Sequence, residues 1–219
     1  MTWWRDRSLT LTLLGLFVVC GVAQLLAGRA VYNDELREHG QAALTLGGYI
    51  GTGHLWEALF ENWESEFLQM AAFVTFSTVL YQRGSPESRR PGASELVDAD
   101  PRRFAHLPDV PWPVRRGGWV LRVYEHSLGL ALVLLFLGSW VGHGLGGWRT
   151  FAADQAWHGQ PAPALTDYLS SSLFWFESFQ NWQSEFLSVA AMVWLSVYLR
   201  QRWSPESKPV HAPHHDTEH

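Results

Sequence analysis

Two groups of polar residues, spaced three or four apart, lie in otherwise apolar stretches of the chain. The first group is Asn62, Ser65, Glu66 and Gln69, and the second, 119 positions later, is Asn181, Ser184, Glu185 and Ser188. Spacings of three and four place the members of each group on one face of an α-helix. Carboxyl groups in a low-dielectric setting resist ionisation, and a second carboxyl group nearby strengthens that resistance. The pattern therefore predicts a site for a proton, a cation or a small polar solute.

Gln24 and His143 are predicted to join this polar layer. At 1.5 Å per residue, Gln24 lies about 24 Å and Glu66 about 22 Å from the same predicted membrane surface. His143 stands 119 positions after Gln24, so it is expected at the matching depth, where it could share a proton with Glu185. The alternative is that the whole layer is a hydrogen-bond network that only locks the helices together.

Both polar groups belong to an internal repeat of the sequence. Residues 8–88 align with residues 127–207 at a constant offset of 119, without a gap. Between Asn62–Ser88 and Asn181–Ser207, 17 of 27 positions are identical. Chance does not hold one register over such a length, so we infer that a single unit has been duplicated in tandem.

The elements that must position these residues are four predicted transmembrane helices. They are Leu9–Gly28, Leu55–Tyr81, Leu128–Gly147 and Leu173–Leu199. A bilayer core needs about 20 helical residues, which the first and third match, whereas the second and fourth are longer and must tilt or emerge. The first stretch could also be a secretory signal peptide, but its repeat copy lies mid-chain, where no signal peptide can be. The sequence thus predicts an all-α polytopic membrane protein, built as a parallel duplication of a two-helix hairpin.

Charge and composition predict the remaining organisation. The expected boundaries are 1–88 for the first repeat, 89–121 for a cytoplasmic linker, 122–207 for the second repeat and 208–219 for a disordered tail. Of the Lys and Arg residues only Arg29, Arg37 and Arg149 fall on one predicted side of the membrane. The positive-inside rule therefore places both termini and the linker in the cytoplasm.

Other features are predicted to be structural. Gly138, Gly142 and Gly146 are spaced by four, which permits close helix packing. An acidic collar of Glu57, Glu61, Glu64 and Glu177 could attract cations, although a solvated helix end explains it equally. The tripeptide His39-Gly40-Gln41 recurs as His158-Gly159-Gln160, for which a turn with a capping role is favoured over a metal site.

Several function classes have no support in the sequence. There is no basic domain for nucleic acid, and no phosphate loop, HExxH, CxxC or Ser/His/Asp pattern for soluble-type catalysis. The single cysteine, Cys20, allows no internal disulfide. A membrane haem enzyme would need His on two helices at matching depth, but Gln24 stands opposite His143. We expect no enzyme activity, no cofactor and no metal.

The chain resembles a family of uncharacterised bacterial inner-membrane proteins, classed as a domain of unknown function. The resemblance covers nearly the whole chain and rests on Tyr32-Asn33, Glu38–Gln41, the Asn-Trp-x-Ser-Glu-Phe-Leu motif at Asn62 and at Asn181, and Ser85–Ser88. It implies the inner membrane of a bacterium and no established activity.

Two functions are left open by the sequence. One is a small transporter or channel for a proton, a cation or a polar solute, acting as a homodimer because four helices make a thin pathway. The other is a non-catalytic structural or accessory subunit, whose Glu and Asn side chains only hold helices together or dock a partner.

Overall fold

The computed structural model describes residues 3–88, 90–92 and 96–217, and within these ranges the chain is all helical. The α-helices are α1 (Ser8–Glu38), α2 (Leu46–Ile50), α3 (Gly53–Phe76), α4 (Trp112–Arg116), α5 (Gly118–Glu125), α6 (Ser127–Trp157), α7 (Leu165–Leu169) and α8 (Ser172–Tyr198). Short 3-10 turns lie at Arg5–Arg7, Leu96–Asp98 and Pro101–Phe104.

The helices of the two repeats begin at equivalent positions of the sequence alignment. The first residues of α1, α2 and α3 each lie 119 positions before the first residues of α6, α7 and α8. Both long helices end alike, because Gly40 has φ 69° and Gly159 has φ 68°. The residue after each glycine donates its backbone N–H to a carbonyl five residues back, at 2.8 Å in both copies. This glycine-terminated cap stops the two helices at equivalent positions.

Helices α1 and α6 are long and apolar enough to cross a membrane. None of the most apolar stretch of α1 is buried, and only 22% of that of α6. A buried core helix of a soluble protein would not leave such a surface open. Both helices thus present exposed leucine and valine side chains, and α1 also exposes Phe17.

Helix α3 ends earlier than the sequence predicted. The expected span ran to Tyr81, whereas α3 ends at Phe76 and the chain continues in turns. Glu66 therefore lies 10 residues, or about 15 Å, from the end of its helix. Glu185 lies 13 residues, or about 20 Å, from the end of α8 at Tyr198.

The chain divides into two compact units, each of which takes residues from both repeats. The first consists of Met1–Glu61 and Val141–Trp175, and the second of Asn62–Trp140 and Phe176–His219. The core of the first unit is formed by Tyr32, Leu36, Tyr49 and Leu55. In both repeats a tyrosine hydroxyl lies over a glycine of the preceding long helix, Tyr49 over Gly28 and Tyr168 over Gly147.

Close helix packing through glycine is confirmed in the first unit. A Cβ at Gly146 would lie 2.5 Å from the backbone nitrogen of Glu57, and one at Gly53 would lie 2.5 Å from the carbonyl oxygen of Gly146. A Cβ at Gly142 would meet the ring of Phe60 at 2.4 Å. Gly138 has nothing within 4 Å of such a Cβ, so only the last two glycines of the predicted series are packed.

The segment after α8 differs from the disordered tail that its composition predicts. The Lys208 side chain is buried, and its ammonium group donates to the carbonyl oxygens of Pro213, His214 and Asp216 at 3.3, 3.0 and 2.9 Å. Thr217 contacts the hydroxyl of Tyr81 at 3.2 Å. Residues 89 and 93–95 of the predicted linker, and 218 and 219 of the predicted tail, lie outside the described residues.

Candidate functional site

Glu66 on α3 and Glu185 on α8 occupy equivalent positions of the two repeats and both belong to the second unit. Glu185 is half-buried, whereas Glu66 is exposed on the isolated chain. Their membership of one polar layer stays a prediction.

One turn further along, a second pair of equivalent residues is in direct contact. The side-chain amide of Gln69 donates to the Ser188 hydroxyl at 3.2 Å, and these positions are separated by 119 residues. Equivalent residues of two copies can touch only where the copies approach their common axis. Within the second unit, α3 and α8 therefore meet at Gln69 and Ser188, one turn along each helix from Glu66 and Glu185.

Three of the predicted site residues are hydrogen-bonded within their own helices. The Ser65 and Ser184 hydroxyls donate to the carbonyl oxygens of Asn62 and Asn181, three residues back, at 2.9 and 2.8 Å. The Asn181 amide donates to the carbonyl oxygen of Glu177 at 3.1 Å. Such local bonds are available to Ser and Asn in any helix. The Ser188 hydroxyl likewise donates to the carbonyl oxygen of Glu185 at 2.8 Å, but it also accepts from Gln69 across the two helices.

Glu64, which the sequence analysis placed in the acidic collar, also belongs to the second unit. Glu64 is fully buried, and one of its carboxylate oxygens accepts from the indole N–H of Trp182 at 3.1 Å. A buried carboxylate is costly unless it is hydrogen-bonded, so this contact makes Glu64 a link between α3 and α8. The sequence does mark Glu64 by a difference between the two repeats. The second repeat has Gln183 at the position of Glu64, although the neighbouring tryptophan is present in both, as Trp63 and Trp182.

Gln24 and His143, the remaining predicted site residues, belong to the first unit. Gln24 is half-buried, and His143 is fully buried with its ring centre 5.0 Å from that of Phe174. Phe174 in turn packs at 5.6 Å against Tyr168. His143 is thus part of an aromatic cluster, and its membership of one polar layer with the glutamates stays a prediction.

A cavity of about 410 Å³ lies between α3 and α8 in the second unit. Gln69 lines it together with Gln82, Glu87 and Ser88, and its walls are mainly apolar side chains such as Phe73 and Phe186. The volume lies in the range of small-molecule sites. In the described parts of the chain, no group of three or more His, Cys, Asp or Glu side chains is arranged to hold a metal ion.

Comparison with known families gives one result. The family model "Domain of unknown function (DUF6766)" matches residues 1–219. The chain belongs to this family. The match covers the whole chain, which confirms the expected resemblance to an uncharacterised family. No curated protein and no solved structure matches the chain.

Proposed function

We propose that the chain is a multi-pass protein of the bacterial inner membrane, in which α3 and α8 cross the bilayer beside α1 and α6. The equal offset between the helices of the two copies supports a duplicated hairpin. The distribution of Lys and Arg supports cytoplasmic termini and a cytoplasmic linker. In a duplication of this parallel kind, a pseudo-twofold axis runs along the membrane normal, and the binding site lies at the interface of the two copies.

We further propose that Glu66 and Glu185 bind a proton or a small cation in a transporter or channel rather than an enzyme. The observation that carries this proposal is the contact between Gln69 and Ser188, which brings the two helices together one turn from these equivalent acids. Two neighbouring carboxylates repel each other, and a shared proton or a bound cation relieves that repulsion. The cavity that Gln69 lines begins one turn along α3 from Glu66.

Exposure of polar side chains on α3 favours a dimeric assembly. Asn62 and Glu66 are exposed on the isolated chain, and hydrocarbon does not accept such groups. A second copy of the chain, or a water-filled passage between two copies, would cover them. The proposed functional form is therefore a homodimer.

Flux measurements on reconstituted protein test the proposal. Glu66→Gln and Glu185→Gln keep the size and hydrogen-bonding capacity of the side chains but remove their charge. We expect the double variant to lose pH-dependent proton or cation flux in liposomes while its helix content and detergent stability stay unchanged. Ser184→Ala is the matched control, because the Ser184 hydroxyl donates to a carbonyl oxygen of its own helix. Flux equal to that of the parent chain in the double variant would refute the assignment.

An accessory role is the second candidate, and two contacts favour it. The Glu64–Trp182 and Gln69–Ser188 hydrogen bonds both join α3 to α8, which is what a helix-locking network requires. If this is the only role, substitution of Glu66 and Glu185 lowers detergent stability and changes no flux. Pull-down from the native membrane should then recover a partner in fixed proportion.

A further inference from the structure

The two loops that follow α1 and α6 bring together a pair of equivalent histidines. The ring centres of His39 and His158 lie 5.7 Å apart, with the ring planes at 74°. His39 also stacks on Trp157, with ring centres 4.8 Å apart. Both histidines are exposed and belong to the first unit. Two exposed imidazoles are therefore held side by side, one from each repeat.

The tautomer of both rings follows from their hydrogen bonds. Nδ1 of His39 lies 2.9 Å from the carbonyl oxygen of Glu35, and Nδ1 of His158 lies 2.9 Å from that of Asp154. A carbonyl oxygen can only accept, so each Nδ1 carries the hydrogen. In a neutral ring the other nitrogen, Nε2, then carries a lone pair. In the neutral form of both rings, Nε2 is thus the nitrogen that can bind a metal ion.

This is the arrangement that supports metal-ligating histidines in proteins. Such a histidine almost always donates its second N–H to a backbone carbonyl or a carboxylate. His158 has both partners, since an Asp154 carboxylate oxygen lies 3.5 Å from its Nδ1. A capping role alone explains one histidine at each helix end, but it does not require the two rings to meet.

The separation of the rings fits a shared ion. Two imidazoles bound to one tetrahedral ion through nitrogens about 2.0 Å away have ring centres roughly 5 Å apart. The observed 5.7 Å needs only a small rotation of the side chains to reach that value. Imidazole nitrogen suits zinc, copper and nickel rather than magnesium or calcium.

We propose that His39 and His158 form a two-imidazole site for a divalent transition-metal ion, completed by water. The ion would join the two repeats at the ends of α1 and α6. This site does not depend on the proposed transport function, because it shares no residue with the Glu66–Glu185 pair. A variant lacking both glutamates should therefore still bind the ion.

Titration of the full-length protein with Zn²⁺ tests the site. All measurements use a background in which His211, His214, His215 and His219 are replaced by Gln, because the tail histidines could bind metal on their own. We expect one Zn²⁺ per chain by calorimetry, and thermal stabilisation by the added ion. His39→Phe and His158→Phe should each weaken binding by more than about tenfold, since even loss of a supporting partner costs that much.

The phenylalanine variants separate metal binding from aromatic packing. His39→Phe keeps a ring that can stack on Trp157 but loses the hydrogen bond to the carbonyl oxygen of Glu35, so without metal it should be only slightly less stable than the background chain. His126→Gln removes a different exposed histidine and should leave Zn²⁺ affinity unchanged. Unaltered Zn²⁺ affinity in His39→Phe or His158→Phe, or no Zn²⁺ binding by the background chain, would overturn the proposal.

Discussion

Replacing Gly146 by alanine tests the close packing of α3 on α6 in the first unit. The new Cβ would lie 2.5 Å from the backbone nitrogen of Glu57, 2.9 Å from its Cα and 3.1 Å from the carbonyl carbon of Trp56. Non-bonded carbon atoms prefer separations of about 3.5–4.0 Å. All three neighbours are backbone atoms, which cannot rotate away as a side chain can. The helices must therefore separate by roughly 1 Å to restore ordinary contact distances.

The expected loss of stability follows from two opposing effects. Overpacking of a well-packed contact costs typically about 1–3 kcal/mol, and a backbone clash belongs at the upper end of that range. Alanine recovers up to about 1 kcal/mol through its better helix propensity. We expect Gly146→Ala to lower the free energy of unfolding by about 2 kcal/mol.

Two other glycines of α6 provide a graded series. Gly138→Ala meets nothing within 4 Å and should leave stability unchanged or raise it by up to about 1 kcal/mol. In Gly142→Ala the atoms nearest to the new Cβ belong to the ring of Phe60. A side chain shifts more easily than backbone, so the loss of stability should be intermediate. The measurement is reversible unfolding in mixed micelles, followed by far-UV circular dichroism. Equal unfolding free energies for the Gly138 and Gly146 variants would refute the packing argument.

Two further predictions concern single contacts. Glu64→Leu should lower the free energy of unfolding by about 1–3 kcal/mol, because the Trp182 indole loses its acceptor. Glu64→Gln keeps an acceptor for the indole and should be milder in the same unfolding assay. Lys208→Met should speed proteolysis of residues 209–217, because three carbonyl oxygens lose their donor.

The candidate site could be predicted only in part from the sequence. Helical periodicity placed Glu66 and Gln69 on one face, and the repeat placed Glu185 and Ser188 on the matching face of another helix. Periodicity fixes which residues share a face, but it does not say how far the neighbouring helix covers that face. Periodicity therefore could not predict that Glu66 is exposed and Glu64 is buried. The two residues lie about 160° apart around α3, because each helical residue turns by roughly 100°. The packing of Trp182 against one side of the helix encloses Glu64.

Residue type also did not determine which hydrogen-bond partners these side chains have. Ser65, Ser184 and Asn181 have groups that can bond across helices, yet each bonds to a carbonyl of its own helix. The local carbonyl is always within reach, whereas a partner on another helix is present only at the right approach. Sequence spacing cannot distinguish these two outcomes.

By itself the sequence determined the helical class, the repeat and the residues that share each helix face, since these depend on local periodicity and on identity between the two copies. Only the tertiary structure decided which equivalent residues meet, as Gln69 meets Ser188 and His39 meets His158. It also decided that Lys208 is buried in the tail, a segment whose composition predicts disorder. The physical reason is that such contacts depend on the distance between segments far apart in the chain, and packing sets that distance.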